Sequence, residues 1–259
     1  MAEVTRREPG QFCWPELATS DQQTAKAFYA SVFGWTFEDR PAGPGVIYTT
    51  LKLRGLDVGA LYQQDKEEAA RGVPSHWNVY VSVASADEAA ARARQLGGTV
   101  LATPCDVMDA GRMAVVQDPS GAAVCLWQGR RHPGARVVDE PGAMSWCEVA
   151  TTDAGKAGRF YSELFGWRLK PSGGDYTEFH LGGRSIGGMM AMTPEWGEVP
   201  SHWLTYFAVA ECDGTANRAL KLGAQARVPP RAIPNVGRFA VLIDPQGAHF
   251  AIIRLDVPA

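Results

Sequence analysis

The sequence predicts an α+β protein of two tandem domains, each of paired βαβββ units that form a curved mixed sheet with helices on its convex face. Three observations predict it. The run Lys26 to Trp35, with Phe28-Tyr29 and Phe33-Gly34-Trp35, returns as Ala157 to Trp167, with Phe160-Tyr161 and Phe165-Gly166-Trp167, 132 residues later. Val73-Pro74-Ser75-His76-Trp77 returns as Val199-Pro200-Ser201-His202-Trp203, 126 residues later. Gly111-Arg112 and Asp118-Pro119-Ser120-Gly121-Ala122 return, again 126 residues later, as Gly237-Arg238 and Asp244-Pro245-Gln246-Gly247-Ala248. Landmarks repeated in one order at nearly one spacing mark an internal duplication of half the chain.

Each quarter of the chain then reads as one βαβββ-like unit. Phe12 to Ala18 alternates as a strand and ends at Ser20 or Asp21, either of which can cap a helix. Ala25, Phe28, Tyr29, Val32 and Phe33 follow at helical spacing, and Gly34 stops the helix. Strands are expected at Trp35 to Glu38, Val46 to Leu53 and Val58 to Tyr62. The second quarter repeats the plan, with a strand at Asn78 to Val83, a helix at Ser85 to Leu96 and strands near Thr99, Met113 and Ala122. The third and fourth quarters copy it over 143–192 and 202–254. The domains are expected at 11–128 and 143–255, joined by a turn-rich linker, 129–142. Each half is long enough to bury its own core.

The bulk numbers exclude several classes of partner. Twenty-five basic against 28 acidic side chains, a net charge of −3, offer nothing to nucleic acid. Five cysteines, none in a Cys-x-x-Cys pair, are the usage of a reduced cytoplasm rather than a disulfide framework. Met1 to Gln11 is polar and lacks the apolar stretch of a signal peptide. No run approaches the roughly 18 continuous apolar residues of a membrane span. Arginine outnumbers lysine 19 to 6 and alanine is plentiful, which fits a GC-rich bacterial genome.

Phe-Tyr-x-x-x-Phe-Gly-Trp after a first strand and Asp-Pro-x-Gly before a last one resemble the vicinal oxygen chelate superfamily. That group holds glyoxalase I, bleomycin- and fosfomycin-resistance proteins and extradiol dioxygenases, and the resemblance covers nearly the whole chain. Its tandem-domain actinobacterial members, labelled hydroxylase or glyoxalase, are similar in layout. In metal-using members the resemblance places His, Glu or Gln ligands on the first and last strands of each unit. Aligned on the two motifs, the first-strand positions here are Trp14, Asn78, Trp146 and Leu204, and the last-strand positions Ala60, Cys125, Gly188 and Ala251. Only asparagine and cysteine among these can donate to an ion, so no metal and no cofactor is expected.

Strand alternation puts Trp14 with Glu16, Trp146 with Glu148, and Asn78 with Tyr80 on the concave faces. Each Trp/Glu pair is expected to line a pocket that stacks a flat ligand and binds its polar edge. Alternatively the tryptophan fills the cup and the glutamate pairs with Arg112 or Arg238. A carboxylate set against an indole also has the makings of a general base. His249 faces inward beside Ala251 and has Ala123 as its counterpart, so it is specific to the second cup or incidental. His76 and His202 are expected to cap backbone at loop-to-strand junctions, and His180 to sit in a surface turn. Met189, Met190, Met192 and Trp196 read as core filling or an adaptable wall. Cys125 reads as a buried, inert thiol.

Two functional readings follow. The first is a metal-free small-molecule binder of the resistance type, which sequesters an aromatic or apolar metabolite against Trp14, Asn78, Tyr80, Trp146, Tyr206 and His249. The second is a glyoxalase- or hydroxylase-like enzyme acting on a small carbonyl or ring substrate. In it Glu16 or Glu148 is the catalytic base, and Asn78, Tyr80, Tyr206 or Arg238 orients the substrate. A homodimer is also compatible with the open sheets. Partners among nucleic acids and membranes are not expected.

Overall fold

The computed structural model describes residues 3–256; Met1 and Ala2, the start of the polar opening segment, lie outside them. The first half runs β1 (Phe12–Thr19), α1 (Gln22–Phe33), β2 (Thr36–Gly43), β3 (Val46–Leu53) and β4 (Leu56–Gln63). A short helix, α2 (Lys66–Ala70), leads to β5 (His76–Ser82), α3 (Ala86–Gln95), β6 (Thr99–Val107), β7 (Gly111–Gln117) and β8 (Ala123–Gly129). The second half repeats this with β9 (Met144–Thr151), α4 (Ala154–Phe165), β10 (Arg168–Pro171), β11 (Tyr176–Leu181) and β12 (Arg184–Ala191). A 3-10 turn at Pro194–Trp196 precedes β13 (His202–Ala208), α5 (Cys212–Lys221), β14 (Gln225–Ile233), β15 (Gly237–Ile243) and β16 (His249–Leu255).

The helix ends follow local chemistry. Asp21, not Ser20, caps α1 by accepting from the Gln23 and Thr24 amides, and Gly34 closes it in the left-handed region at φ 74°. Asp153 and Gly166 do the same for α4. Ser85 caps α3 and Glu211 caps α5.

Each half forms one eight-stranded mixed sheet, ordered β2-β3-β4-β1-β5-β8-β7-β6 and β10-β11-β12-β9-β13-β16-β15-β14. The two first strands of a half, β1 and β5 or β9 and β13, meet antiparallel at the centre. Each takes its own unit's last strand as a parallel neighbour on the other side. That register sets Glu16 between Asn78 and Ala60, and Glu148 between Leu204 and Gly188.

The halves do not bury separate cores, contrary to the expectation from length. One aromatic core joins them, lined by the helices and by the sheet faces carrying Trp77, Val79 and Val81 from β5 and Trp203 and Phe207 from β13. Phe33 meets Phe207 at 5.1 Å, Phe12 meets Trp203 at 5.4 Å, and Phe28 meets Phe250 at 6.1 Å, each across the boundary. Edge-on and tilted ring pairs of this kind add to the burial of their area. Polar bonds are exchanged as well: the Trp35 indole donates to the Gly142 carbonyl at 2.7 Å, and Trp167 to Gly10 at 2.8 Å. The concave faces therefore point away from one another, and each forms a cup with its own small cluster.

Candidate active site

In the first cup the sequence-predicted Trp14, Glu16 and Tyr80 come together around a residue that strand parity did not identify, Tyr48. The Tyr48 hydroxyl donates to Glu16 Oε2 at 2.7 Å, the Tyr80 hydroxyl donates to Oε1 at 2.8 Å, and the Trp14 indole donates to the Tyr48 oxygen at 3.1 Å. The second cup repeats the arrangement. Tyr206 donates to Glu148 Oε1 at 3.1 Å, Tyr176 stands beside the carboxylate and helps lower its pKa, and the Trp146 indole donates to the Tyr176 oxygen at 2.9 Å. Tyr48 and Tyr176 lie 128 residues apart, between the two offsets of the repeat, and that spacing is the signal that marks them.

Burial raises the pKa of both glutamates, and the neighbouring phenols pull it part of the way back. Tyr48, Tyr80 and Tyr206 are pushed well above 10 by burial and by the adjacent carboxylate, so each phenol is a neutral donor. Neither glutamate pairs with the arginine suggested for it. Arg112 is held by Asp87 at 2.6 Å, and Arg238 by Asp213 at 2.5 Å, both off the concave face. Arg238 is thus no substrate-orienting group.

The cups differ in access. Trp14 is 5% and Glu16 7% exposed, whereas Trp146 and Glu148 are half-buried. The segment between the sheets covers the first cup: the His132 ring stands edge-on to Trp14 at 4.5 Å, and the Trp127 indole donates to the His132 carbonyl at 2.9 Å. The Ala135 amide then bonds the Cys13 carbonyl at 2.7 Å, a close approach that Gly134 permits, since a β-carbon there would strike Cys13. The linings differ too. Asn78, Tyr62 and Cys125 of the first cup are replaced by Leu204, Met190 and Ala251.

In the second cup, Gly188 stands where the first has Ala60. A β-carbon at 188 would collide with the Tyr176 hydroxyl and ring, so the glycine provides the recess in which Tyr176 lies beside Glu148. His249 lies on the concave side of β16, exposed at the strand's start, with its pKa lowered first by burial and then by His202 and Arg227. His76 and His202 bond the carbonyls of Pro74 and Pro200 at 2.9 and 2.8 Å, as junction residues. His180 is not in a turn; it lies in β11, half-buried, beside Glu178 at 2.8 Å. Met189 belongs to the shared core, and Cys125 is buried with its pKa raised by burial.

Two cavities, of about 270 and 370 Å³, lie along the seam between the halves rather than in the cups. Pro9-Gly10 lines one and Pro141-Gly142 the other, so they are a repeat-related pair. Neither brings together a carboxylate and phenols as the cups do.

Models of known families match both halves: the Glyoxalase/Bleomycin resistance protein/Dioxygenase superfamily over residues 11–126, and the Glyoxalase-like domain over 146–253. CFP32 of Mycobacterium tuberculosis, provisionally named a glyoxylase, is 40% identical over 246 residues, 93% of each chain. The chain belongs to the glyoxalase/bleomycin resistance/dioxygenase superfamily. A further superfamily relative, the anthracycline biosynthesis protein DnrV of Streptomyces peucetius, is 34% identical, covering 97% of this chain and 96% of its own. The fold matches the Mn(II)-bound glyoxalase of Novosphingobium aromaticivorans at TM-score 0.67 and 14% identity, over 97% of this chain and 86% of that one. It matches homoprotocatechuate 2,3-dioxygenase of Arthrobacter globiformis at TM-score 0.67 and 18% identity, over 98% and 82%.

The residues present do not fit a divalent ion of the kind some superfamily members hold. The register places Ala60 and Gly188 beside the glutamates, and Cys125 and Ala251 beside Tyr80 and Tyr206, so the last strands supply one thiol in all. Among the described residues no three His, Cys, Asp or Glu side chains converge as a metal site would require. No helix among them is long and apolar enough to cross a membrane.

Proposed function

We propose that this protein is an acid–base enzyme of the glyoxalase- or hydroxylase-like kind, acting on a small carbonyl or ring substrate, with Glu148 as its base. The observation that carries the reading is a half-buried carboxylate that accepts from the Tyr206 phenol and has the Tyr176 phenol beside it, at a cup that solvent reaches. A carboxylate whose pKa is raised by burial is a stronger proton acceptor than an exposed one. Breaking a C–H bond next to a carbonyl puts negative charge on the carbonyl oxygen. A neutral phenol within reach of the same carboxylate can donate to that oxygen as the charge develops. Glu148 then returns the proton to a neighbouring atom of the substrate, and no redox partner is needed. Relatives named for a glyoxylase and for anthracycline biosynthesis support substrates that carry carbonyls or fused rings.

The test is deuterium wash-in, followed by NMR, at the carbon next to the carbonyl of hemithioacetals and of hydroxyquinones in D₂O. Glu148→Gln should slow wash-in by about 100-fold or more, the usual contribution of a positioned base. Exchange that is equally fast in that variant would sink the mechanism. A second reading, a metal-free binder that sequesters an aromatic metabolite, is favoured by the apolar lining around Leu204, Phe239 and Ile253. Tight binding with no exchange in the wild type would select it.

A further inference from the structure

We propose that the second cup takes a planar, apolar molecule carrying an anionic oxygen group, a carboxylate or phenolate, with the anion held by Arg231 at the rim and the ring lying toward Phe239. This rests on the assignment of that cup as the working site and adds the class of ligand it accepts.

The two cups are copies in strand order and differ in the charge around them. At the constant offset of 126 residues, Arg227, Arg231 and His249 of the second half stand where the first has Leu101, Cys105 and Ala123. Three positions on equivalent strands are thus basic in the second half and uncharged in the first. Arg231 and Phe239 are paired positions on β14 and β15, and the guanidinium carbon lies 5.1 Å over the Phe239 ring. Phe239 belongs to the cup's apolar cluster with Leu204 and Tyr206, so the arginine reaches over the concave face.

Arg231 is exposed, and among the described residues no carboxylate forms a salt bridge with it. A guanidinium steadied by a ring, with its five N–H donors unspent on acidic side chains, suits a planar anion that accepts two bonds side by side. Its charge also bears on the Tyr206 phenol, which donates to Glu148 at 3.1 Å. The cation, an aromatic surface and the proton-transfer pair therefore belong to one cup. Arg40, the cation opposite Tyr48 at the first cup, is paired with Glu38, and that cup is covered by His132, so one ligand per chain is expected.

The experiment is calorimetric titration of the full chain with 2-naphthoate and with its neutral isostere, 2-naphthamide. Naphthoate should bind one equivalent per chain and more tightly than the amide. Arg231→Gln should weaken it about tenfold while leaving the amide's affinity unchanged, the scale of one charge-assisted contact. Arg130→Gln removes the same charge from the first half and should change nothing. Equal binding of acid and amide, an unaltered affinity in Arg231→Gln, two equivalents per chain, or no binding at millimolar naphthoate would each overturn the proposal. Because the readout is binding, naphthoate recognition that survives in a protein showing no deuterium wash-in would leave this proposal standing and the acid–base reading refuted.

Discussion

The Tyr29 hydroxyl in the first half donates to Asp244 Oδ2 in the second at 2.9 Å, in a fully buried contact. The Trp77 indole donates to the Tyr29 oxygen at 3.0 Å. All three repeated motifs thus converge: Phe-Tyr and Ser-His-Trp of one half close on the Asp-Pro-x-Gly turn of the other. The reciprocal set is Trp203, which donates to Tyr161 at 3.0 Å, and Asp118, whose charge helps raise the Tyr161 pKa after burial. The residues most plainly duplicated in the chain are those that hold its two copies together.

Tyr29→Phe should cost about 1–3 kcal/mol, the penalty for leaving a buried acceptor without its donor. Urea unfolding should give one transition for both halves, shifted to lower denaturant, because the core is shared. Separate transitions for the two halves would contradict the shared core.

Glu16 carries a pH signature. Its pKa in the folded chain is raised by burial above the ordinary 4.5, so the stability that its protonated form contributes is full below that value. It is lost as pH rises through the folded value. Relative to Glu16→Gln, the wild type should therefore lose melting temperature as pH rises above about 4.5, with other titrations cancelling in the difference. A difference that moves the other way would mean that the phenols hold Glu16 ionised.

Gly188→Ala should displace Tyr176 from Glu148 and destabilise the protein by about 1–3 kcal/mol, as overpacking does. Combining it with Tyr176→Ala removes the hydroxyl and the ring carbons that the new methyl strikes, and should restore part of the melting temperature but not the deuterium wash-in. A fully active Gly188→Ala would show that Tyr176 has no part in the chemistry.

Elemental analysis should find no stoichiometric divalent metal, and EDTA should leave the melting temperature unchanged. About one metal per chain with Glu148 among its ligands would replace the phenol-flanked base with a different site.

Much of this architecture was legible in the chain. Helix ends at Asp21 and Gly34, strand order within units, and the placement of Trp14, Glu16, Trp146 and Glu148 on concave faces follow from local periodicity and repeat spacing. Tyr48 and Tyr176 escape such a reading because they sit on β3 and β11, two strands away from the glutamates they approach. Parity within a strand assigns a face; it does not say which residue of a non-adjacent strand leans over it. The arginine pairing failed for a related reason. Asp87 and Asp213, in the first turns of α3 and α5, claim Arg112 and Arg238 on the opposite face. Length implied a core for each half, but Phe33 and Phe207 show aromatic surface spent across the boundary instead.

The covering of Trp14 by His132 makes the order of the halves along the chain matter. The tether that leaves β8 is also the plug of the first cup, so its two duties cannot be altered independently. A circular permutation that opened the chain at residues 130–136 and joined its present ends would uncork the first cup while leaving the aromatic spine whole. The Trp14 face that His132 now covers would then be open to solvent, as the corresponding face of the second copy already is.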